Sequence, residues 1–162
     1  MGEIHYLKGD ATLPQAKGKK IIAHVCNDIG RWGKGFVMAV TARWSGPEAE
    51  YRSWHQRGDG FALGAIQLVR VEPWIWVANL IAQRGTKAGS NGPPIRYDAV
   101  ESCRKQLAVR ARDLGASVHM PRIGCGLAGG NWEEIEPIVQ RTLIAAAVPV
   151  HVYDYANTGK TT

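Results

Sequence analysis

Hydrophobic and polar positions change period repeatedly along this chain, from two residues to about 3.6, and each change marks an element. EIHYLK (3–8) reads as a strand, a turn-rich GDATLPQAKGKK follows, and IIAHVCN (21–27) is apolar almost throughout. A strand without a polar face needs cover on both sides. FVMAVTARW (36–44) and PEAEYRSWHQRG (47–58) read as helices, the second with Pro47 in its first turn, where a missing N–H is tolerated. ALGAIQLVRVE (62–72) alternates, WIWVANLIAQ (74–83) is rich in aromatic and branched residues, and Glu72-Pro73 supplies the turn of a hairpin. On this spacing Trp74 and Trp76 share one side of a strand as core or hairpin cover.

RGTKAGSNGPPIR (84–96) has no period and predicts a surface loop of a length more often functional than idle. YDAVESCRKQLAVRARDLG (97–115) carries apolar residues at helical spacing and ends at Gly115, a C-cap residue. SVHMPRI is the next strand. NWEEIEPIVQRTLIAAA (131–147) starts a helix at Asn131, with acidic residues in its first turn and Pro137 straining its middle, and VPVHVYDY closes as a strand. Strands alternating with helices predict an α/β fold with a mixed sheet between helical layers. We expect one domain over residues 1–155, with 156–162 as a frayed polar tail.

Composition adds little to this picture except through charge. The balance of 20 basic against 14 acidic residues, a formal +6, favours anionic partners, although a solvated basic surface has the same signature. Cys26, Cys103 and Cys125 form no CxxC pair and lie near no histidine cluster, so neither a disulfide framework nor a metal site is expected, and no cofactor is implied. No signal core or membrane-length apolar run is present, which makes a cytoplasmic setting the expectation.

Candidate chemistry gathers where strands end. In open α/β sheets ligands bind outside the carboxyl ends of strands. Gly9-Asp10-Ala11-Thr12 follows the first strand, NDIGRWGKG (27–35) the second, Gln83-Arg84-Gly85 the fourth, and MPRIGCGLAGG (120–130) runs out of the fifth. Clustered glycines let backbone N–H groups approach a phosphate, so two such loops suit a diphosphate clamp, with Asp10 taking a donor such as an exocyclic amine and Asn27 placed for sugar hydroxyls.

GDAT, IIAHVCND with GRWGKGF, and above all MPRIGCGLAGGNWE resemble the macrodomains, which bind ADP-ribose, in order and spacing over nearly the whole chain. The resemblance is strongest to the branch containing terminal ADP-ribose protein glycohydrolase and its bacterial relatives. It implies a three-layer α/β/α sandwich. It also implies that Asp10 accepts from the adenine amine, with Ala11 and Thr12 nearby. Gly33, Gly35, Gly124, Cys125, Gly126 and Leu127 would wrap the diphosphate, Asn27 would sit at the distal ribose with Gln83 and Arg84 close by, and Tyr153 or Tyr155 would flank the adenine or its ribose.

Two positions depart from that branch. Gln83 and Ala128 stand where it has a lysine and an aspartate, and neither residue can form a sugar adduct or act as a base. Attack by water is therefore expected, with Asn27 and Asp28 as candidate catalytic residues and Arg84 or loop amides stabilising charge. His24, inside an apolar strand, is expected to be a satisfied core histidine, and Cys125 a small residue in a tight loop.

Three functions follow. One is a hydrolase releasing ADP-ribose from acidic side chains or from small adducts such as the 1″-phosphate or acetyl ester. Another is a reader that binds ADP-ribose, free or on a macromolecule, without turnover. The last is a nucleic-acid-binding domain, resting on charge and aromatics alone. Membrane binding is not expected, and oligomeric state is left open.

Overall fold

Strand β2 (Lys20–Asn27) decides the architecture, because an apolar strand of this length is stable only with strands at both edges and helices on both faces. The computed structural model describes residues 2–33, 35–86, 94–122 and 130–154. Besides β2 they comprise β1 (Ile4–Lys8), α1 (Phe36–Arg43), α2 (Gly46–Arg57), β3 (Ile66–Glu72), β4 (Ile75–Gln83), α3 (Tyr97–Leu114), β5 (Ser117–Pro121), α4 (Trp132–Val139) and β6 (Val150–Asp154). The sheet order is β1-β6-β5-β2-β4-β3, with every pairing parallel except β3 with β4. The mixed sheet and its two helical layers agree with the sandwich expected from sequence.

Alternation within the strands builds two cores. Ile21 and Ala23 of β2 and Ala78, Leu80 and Ala82 of β4 face α3 and α4, where they meet Val100, Leu107, Ile135 and Val139. Ile22, Cys26, Val77 and Ile81 point the other way, onto Val37 and Val40 of α1 and Tyr51 and Trp54 of α2.

Local chemistry sets the helix ends. Gly115 closes α3 in the left-handed region (φ 69°), and the Asn131 side chain accepts from the Glu133 amide at the start of α4, both as expected. Pro137 has a visible effect: α4 gives way at Gln140 to a π-helical turn (Gln140–Ile144), where the Ala145 amide donates five residues back to Gln140. Two expectations need correction. β3 begins at Ile66, four residues later than predicted, and Trp74 lies in the hairpin turn, 56% exposed, because Glu72 pairs with Ile75 around Pro73-Trp74. Only Trp76 joins the core.

Three buried polar residues stand out. His24 donates from Nε2 to Asn79 Oδ1 (2.6 Å), but its Nδ1 has no partner among the described residues, so it is only half satisfied. His119 bonds Ser117 Oγ and the Tyr153 hydroxyl, each at 2.8 Å, and stacks on His151, which stacks on His5. Arg104 on α3 is fully buried, with Nη1 on Met120 Sδ at 3.2 Å and with Nε and Nη2 unpartnered among the described residues. Burial lowers its pKa to about 10, which still leaves it charged at neutral pH.

An unpaired buried cation is destabilising relative to an apolar side chain of similar length. Arg104→Met should therefore raise stability by about 1–4 kcal/mol in denaturant titration, whereas Arg104→Ala, which leaves a cavity, should not. A lowered stability for the methionine variant would show that the guanidinium is needed.

Burial pushes the His24 pKa down to about 4, and burial with neighbouring His151 and Lys20 pushes that of His119 down to about 3. Below the unfolded value of 6.5 the unfolded chain binds more protons than the folded one. Stability present above pH 6.5 should thus be lost as pH falls toward 4 for His24 and toward 3 for His119. The expected slope is about 1.4 kcal/mol per pH unit for each histidine in its window. His119→Gln, which cannot titrate, should flatten the urea-midpoint profile between pH 6 and 4, and an unchanged profile would overturn the assignment.

Candidate functional site

The parallel register puts the carboxyl ends of β1, β6, β5, β2 and β4 on one edge of the sheet. There the described residues singled out from sequence lie, at the ends of strands or on the loops that leave them. Gly124, Cys125, Gly126, Leu127 and Tyr155, with Ala128 and Lys34, lie outside the described residues.

The loop after β1 starts at Gly9, whose amide donates to the Asp154 carbonyl of β6 (2.9 Å). The Thr12 amide and hydroxyl both donate to Asp10 Oδ1, at 2.8 and 2.7 Å. Oδ2 carries no hydrogen bond among the described residues, so within them the carboxylate is fixed through one oxygen. Ala11 and Thr12 are buried beneath it, and Arg43, at the end of α1, donates from Nε to Thr12 Oγ1 (2.8 Å).

Tyr153 is also buried. Its hydroxyl accepts from the Gln15 amide at 2.7 Å, and its other side meets His119 Nδ1. The phenol therefore braces the far end of the same loop. At the loop's exit, the Ser117 hydroxyl lies 3.5 Å from the Lys19 carbonyl.

Asn27 ends β2 with its side chain turned into its own loop. Oδ1 accepts from the Ile29 and Arg31 amides (3.0 and 3.1 Å) and from the Tyr51 hydroxyl (2.7 Å), while Nδ2 donates to the Arg31 carbonyl (2.6 Å). The loop is held from the α1–α2 layer as well. Trp32 Nε1 donates to Thr41 Oγ1, Arg52 donates to the Trp32 carbonyl, and Gly30 (φ 77°) lies so close to His55 that a Cβ would collide with its ring. Tyr51 and Arg52 were not foreseen. The helical pattern of α2 places them on a helix, but no local signal links them to a loop twenty residues earlier.

Asp28, next in the chain, reaches across to the loop after β4 and accepts from the Gly85 amide at Oδ1 (2.8 Å). Its Oδ2 has no hydrogen bond among the described residues. Gln83 donates from Nε2 to the Gly85 carbonyl (2.8 Å), so it folds onto its own turn, and Arg84 beside it is exposed.

Gly33 is exposed, with open space where a Cβ would stand, and Gly35 (φ 78°) begins α1 without a side-chain cap. α1 has no acidic residue in its first turn, whereas α2, α3 and α4 each do. A helix start lacking both cap and carboxylate presents unopposed amide dipoles, which attract an anion. α1 thus runs between two parts of the site, its start beside the glycines and its end against Thr12.

At β5, Arg122 forms a two-toothed ion pair with Asp154 (2.6 and 3.0 Å) and stacks on Tyr6 and Trp132. This pair ties the root of the glycine-rich stretch to the strand that anchors Gly9.

No family model matches the chain. A solved protein of unknown function from Bacteroides thetaiotaomicron is 54% identical over 94% of this chain and 98% of its own, with a TM-score of 0.92. A mouse chromodomain-helicase-DNA-binding protein 1-like is 30% identical over 159 residues, 93% of this chain. The chain spans only 17% of that relative's length. An ADP-ribose 1″-phosphate phosphatase from Candida albicans is 24% identical over 85% of this chain and 92% of its own. A macrodomain protein from Streptomyces coelicolor is 52% identical over 94% of this chain and 99% of its own, with a TM-score of 0.84. Sharing half its aligned residues with that protein over nearly the full length of both, the chain belongs to the macrodomain family.

Proposed function

We propose that this chain binds ADP-ribose at the carboxyl edge of its sheet and hydrolyses ADP-ribose derivatives there without a lysine adduct. The observation that carries the reading is the pairing of two complementary features on one edge: the second carboxylate oxygen of Asp10, without a hydrogen bond among the described residues, and the uncapped start of α1. The first suits the exocyclic amine of adenine and the second a diphosphate. The phosphatase named among the relatives acts on a derivative of this ligand.

In this reading Ala11 and Thr12 line the adenine, Gly33 and Gly35 with Gly124, Cys125, Gly126 and Leu127 hold the diphosphate, and Arg84 meets developing negative charge. Tyr153 acts by bracing the adenine loop, and Tyr155 is the second tyrosine expected to flank the adenine or its ribose. Asp28 is the base. Its carboxylate is oriented by the Gly85 amide through one oxygen, which leaves the other to take a proton from water. That water attacks the anomeric carbon of the distal ribose, the bond to the carboxylate or phosphate substituent breaks, and the substituent leaves with the electron pair. Asn27 shapes the loop that carries Asp28 and acts through position. The working unit is residues 1–155, the tail 156–162 is dispensable, and the setting is cytoplasmic. Among the described residues no helix is long and apolar enough to cross a membrane.

Calorimetry should give micromolar binding of ADP-ribose, about −7 to −9 kcal/mol, and Asp10→Ala should weaken it by about 1–3 kcal/mol. No heat at millimolar ADP-ribose would overturn the reading.

Release of ADP-ribose from protein modified on glutamate, and of phosphate from ADP-ribose 1″-phosphate, tests turnover. Asp28→Asn should lower the rate by 10²-fold or more with binding intact, and borohydride should trap no adduct. Binding without release of either product would make the chain a reader, the outcome favoured by Gln83 folding back onto Gly85.

A further inference from the structure

At the opposite edge of the sheet lies a second feature that the ligand site does not use. The β3–β4 turn puts Trp74 56% in solvent, an unusual residue for a two-residue turn, where small polar side chains are the rule. It is held rigidly. The Lys20 amide donates to the Trp74 carbonyl (2.9 Å), and Arg70 Nη2 donates to the Pro73 carbonyl (2.7 Å).

One cation lies over this ring, and others are close in sequence or on the paired strand. Lys19 places Nζ 5.9 Å from the Trp74 centroid, Lys17 and Lys20 belong to the same short stretch, and the Arg70 guanidinium lies over the neighbouring Trp76 at 5.4 Å. Among the described residues none of these four cations is ion-paired with a carboxylate. The nearest acid in sequence, Glu72, instead accepts from Trp44 Nε1 (3.0 Å). Sequence order scatters these charges over more than fifty positions, and the hairpin brings them together.

The geometry points to a docking surface for single-stranded nucleic acid, with a base stacked on Trp74 and adjoining phosphates on Lys17, Lys19 and Lys20. An exposed, pre-ordered aromatic ring beside unpaired cations meets the two requirements of such binding, a π-face for bases and positive charge for the backbone. Pre-ordering also lowers the entropy lost on association. β4 runs nine residues from this turn to Gln83, which separates the surface from the ligand site by roughly 25–30 Å at 3.3 Å per residue. A strand docked here leaves that site open, and the proposal stands independently of what the site binds.

Fluorescence anisotropy with a labelled oligothymidylate of about ten nucleotides provides the test. Affinity should fall with salt along a logarithmic slope of about −2, from three phosphates neutralised at ~0.7 each. Trp74→Ala should weaken binding by about fivefold or more, Trp74→Phe should retain most of it, and Lys17→Ala with Lys19→Ala should flatten the slope. The exposed position of Trp74 allows these variants to fold, and unchanged ADP-ribose calorimetry and melting temperature verify that they do. No binding at 100 mM salt and ~100 μM protein would overturn the proposal. So would an unaltered affinity in Trp74→Ala, which would reduce the surface to general attraction for polyanions, or binding to phosphatidylserine vesicles without binding to the oligonucleotide.

Discussion

Five parallel strands leave the sheet in the same direction, and that constraint governs the molecule. Parallel pairing requires crossovers, crossovers are helices, and helices on both faces require strands such as β2 and β4 that are apolar on both sides. Their carboxyl ends then have to share one edge. Asp10, Asp28, Gln83 and Arg122 are distant in sequence but neighbours there because each is the last residue of a strand or follows one closely.

The polar side chains at this edge mostly organise backbone. Asn27 binds its own loop, Gln83 its own turn, Asp28 bridges two loops, and Arg122 joins β5 to β6. Among the described residues one oxygen each of Asp10 and Asp28 carries no hydrogen bond, and α1 begins without a side-chain cap. Groups held in this way have their orientation set in advance of any ligand.

Periodicity revealed the elements because burial on alternate or on every third and fourth position leaves its mark directly in residue type. Gly115 and Asn131 were legible for the same reason, since their conformations are local. The destination of a side chain is not local. Asn27 at a strand end reads as polar, but its orientation is set by Tyr51, which arrives on a separate helix, and His24 reads as core without showing that one nitrogen is stranded. Trp74 was misplaced because a two-residue spacing fits a strand and a turn flank equally well, and only the pairing of Glu72 with Ile75 distinguishes them. The macrodomain resemblance narrowed the expected ligand to ADP-ribose, where charge and spacing alone left several anions.

The bonds around His119 also have a direction. The Gln15 amide can only donate, so the Tyr153 oxygen accepts from it and sends its own hydrogen to His119 Nδ1. The imidazole then holds its hydrogen on Nε2 for Ser117 Oγ, and the serine hydrogen is left for the Lys19 carbonyl. The series leaves the segment at residue 15 and returns to it at residue 19, and in this sense each hydrogen along it has an acceptor. The opposite tautomer would bring the hydrogens of Gln15 and His119 onto the one tyrosine oxygen and leave the tyrosine hydrogen with neither of them to accept it. A backbone amide in the first loop thereby biases the tautomer of a histidine two strands away.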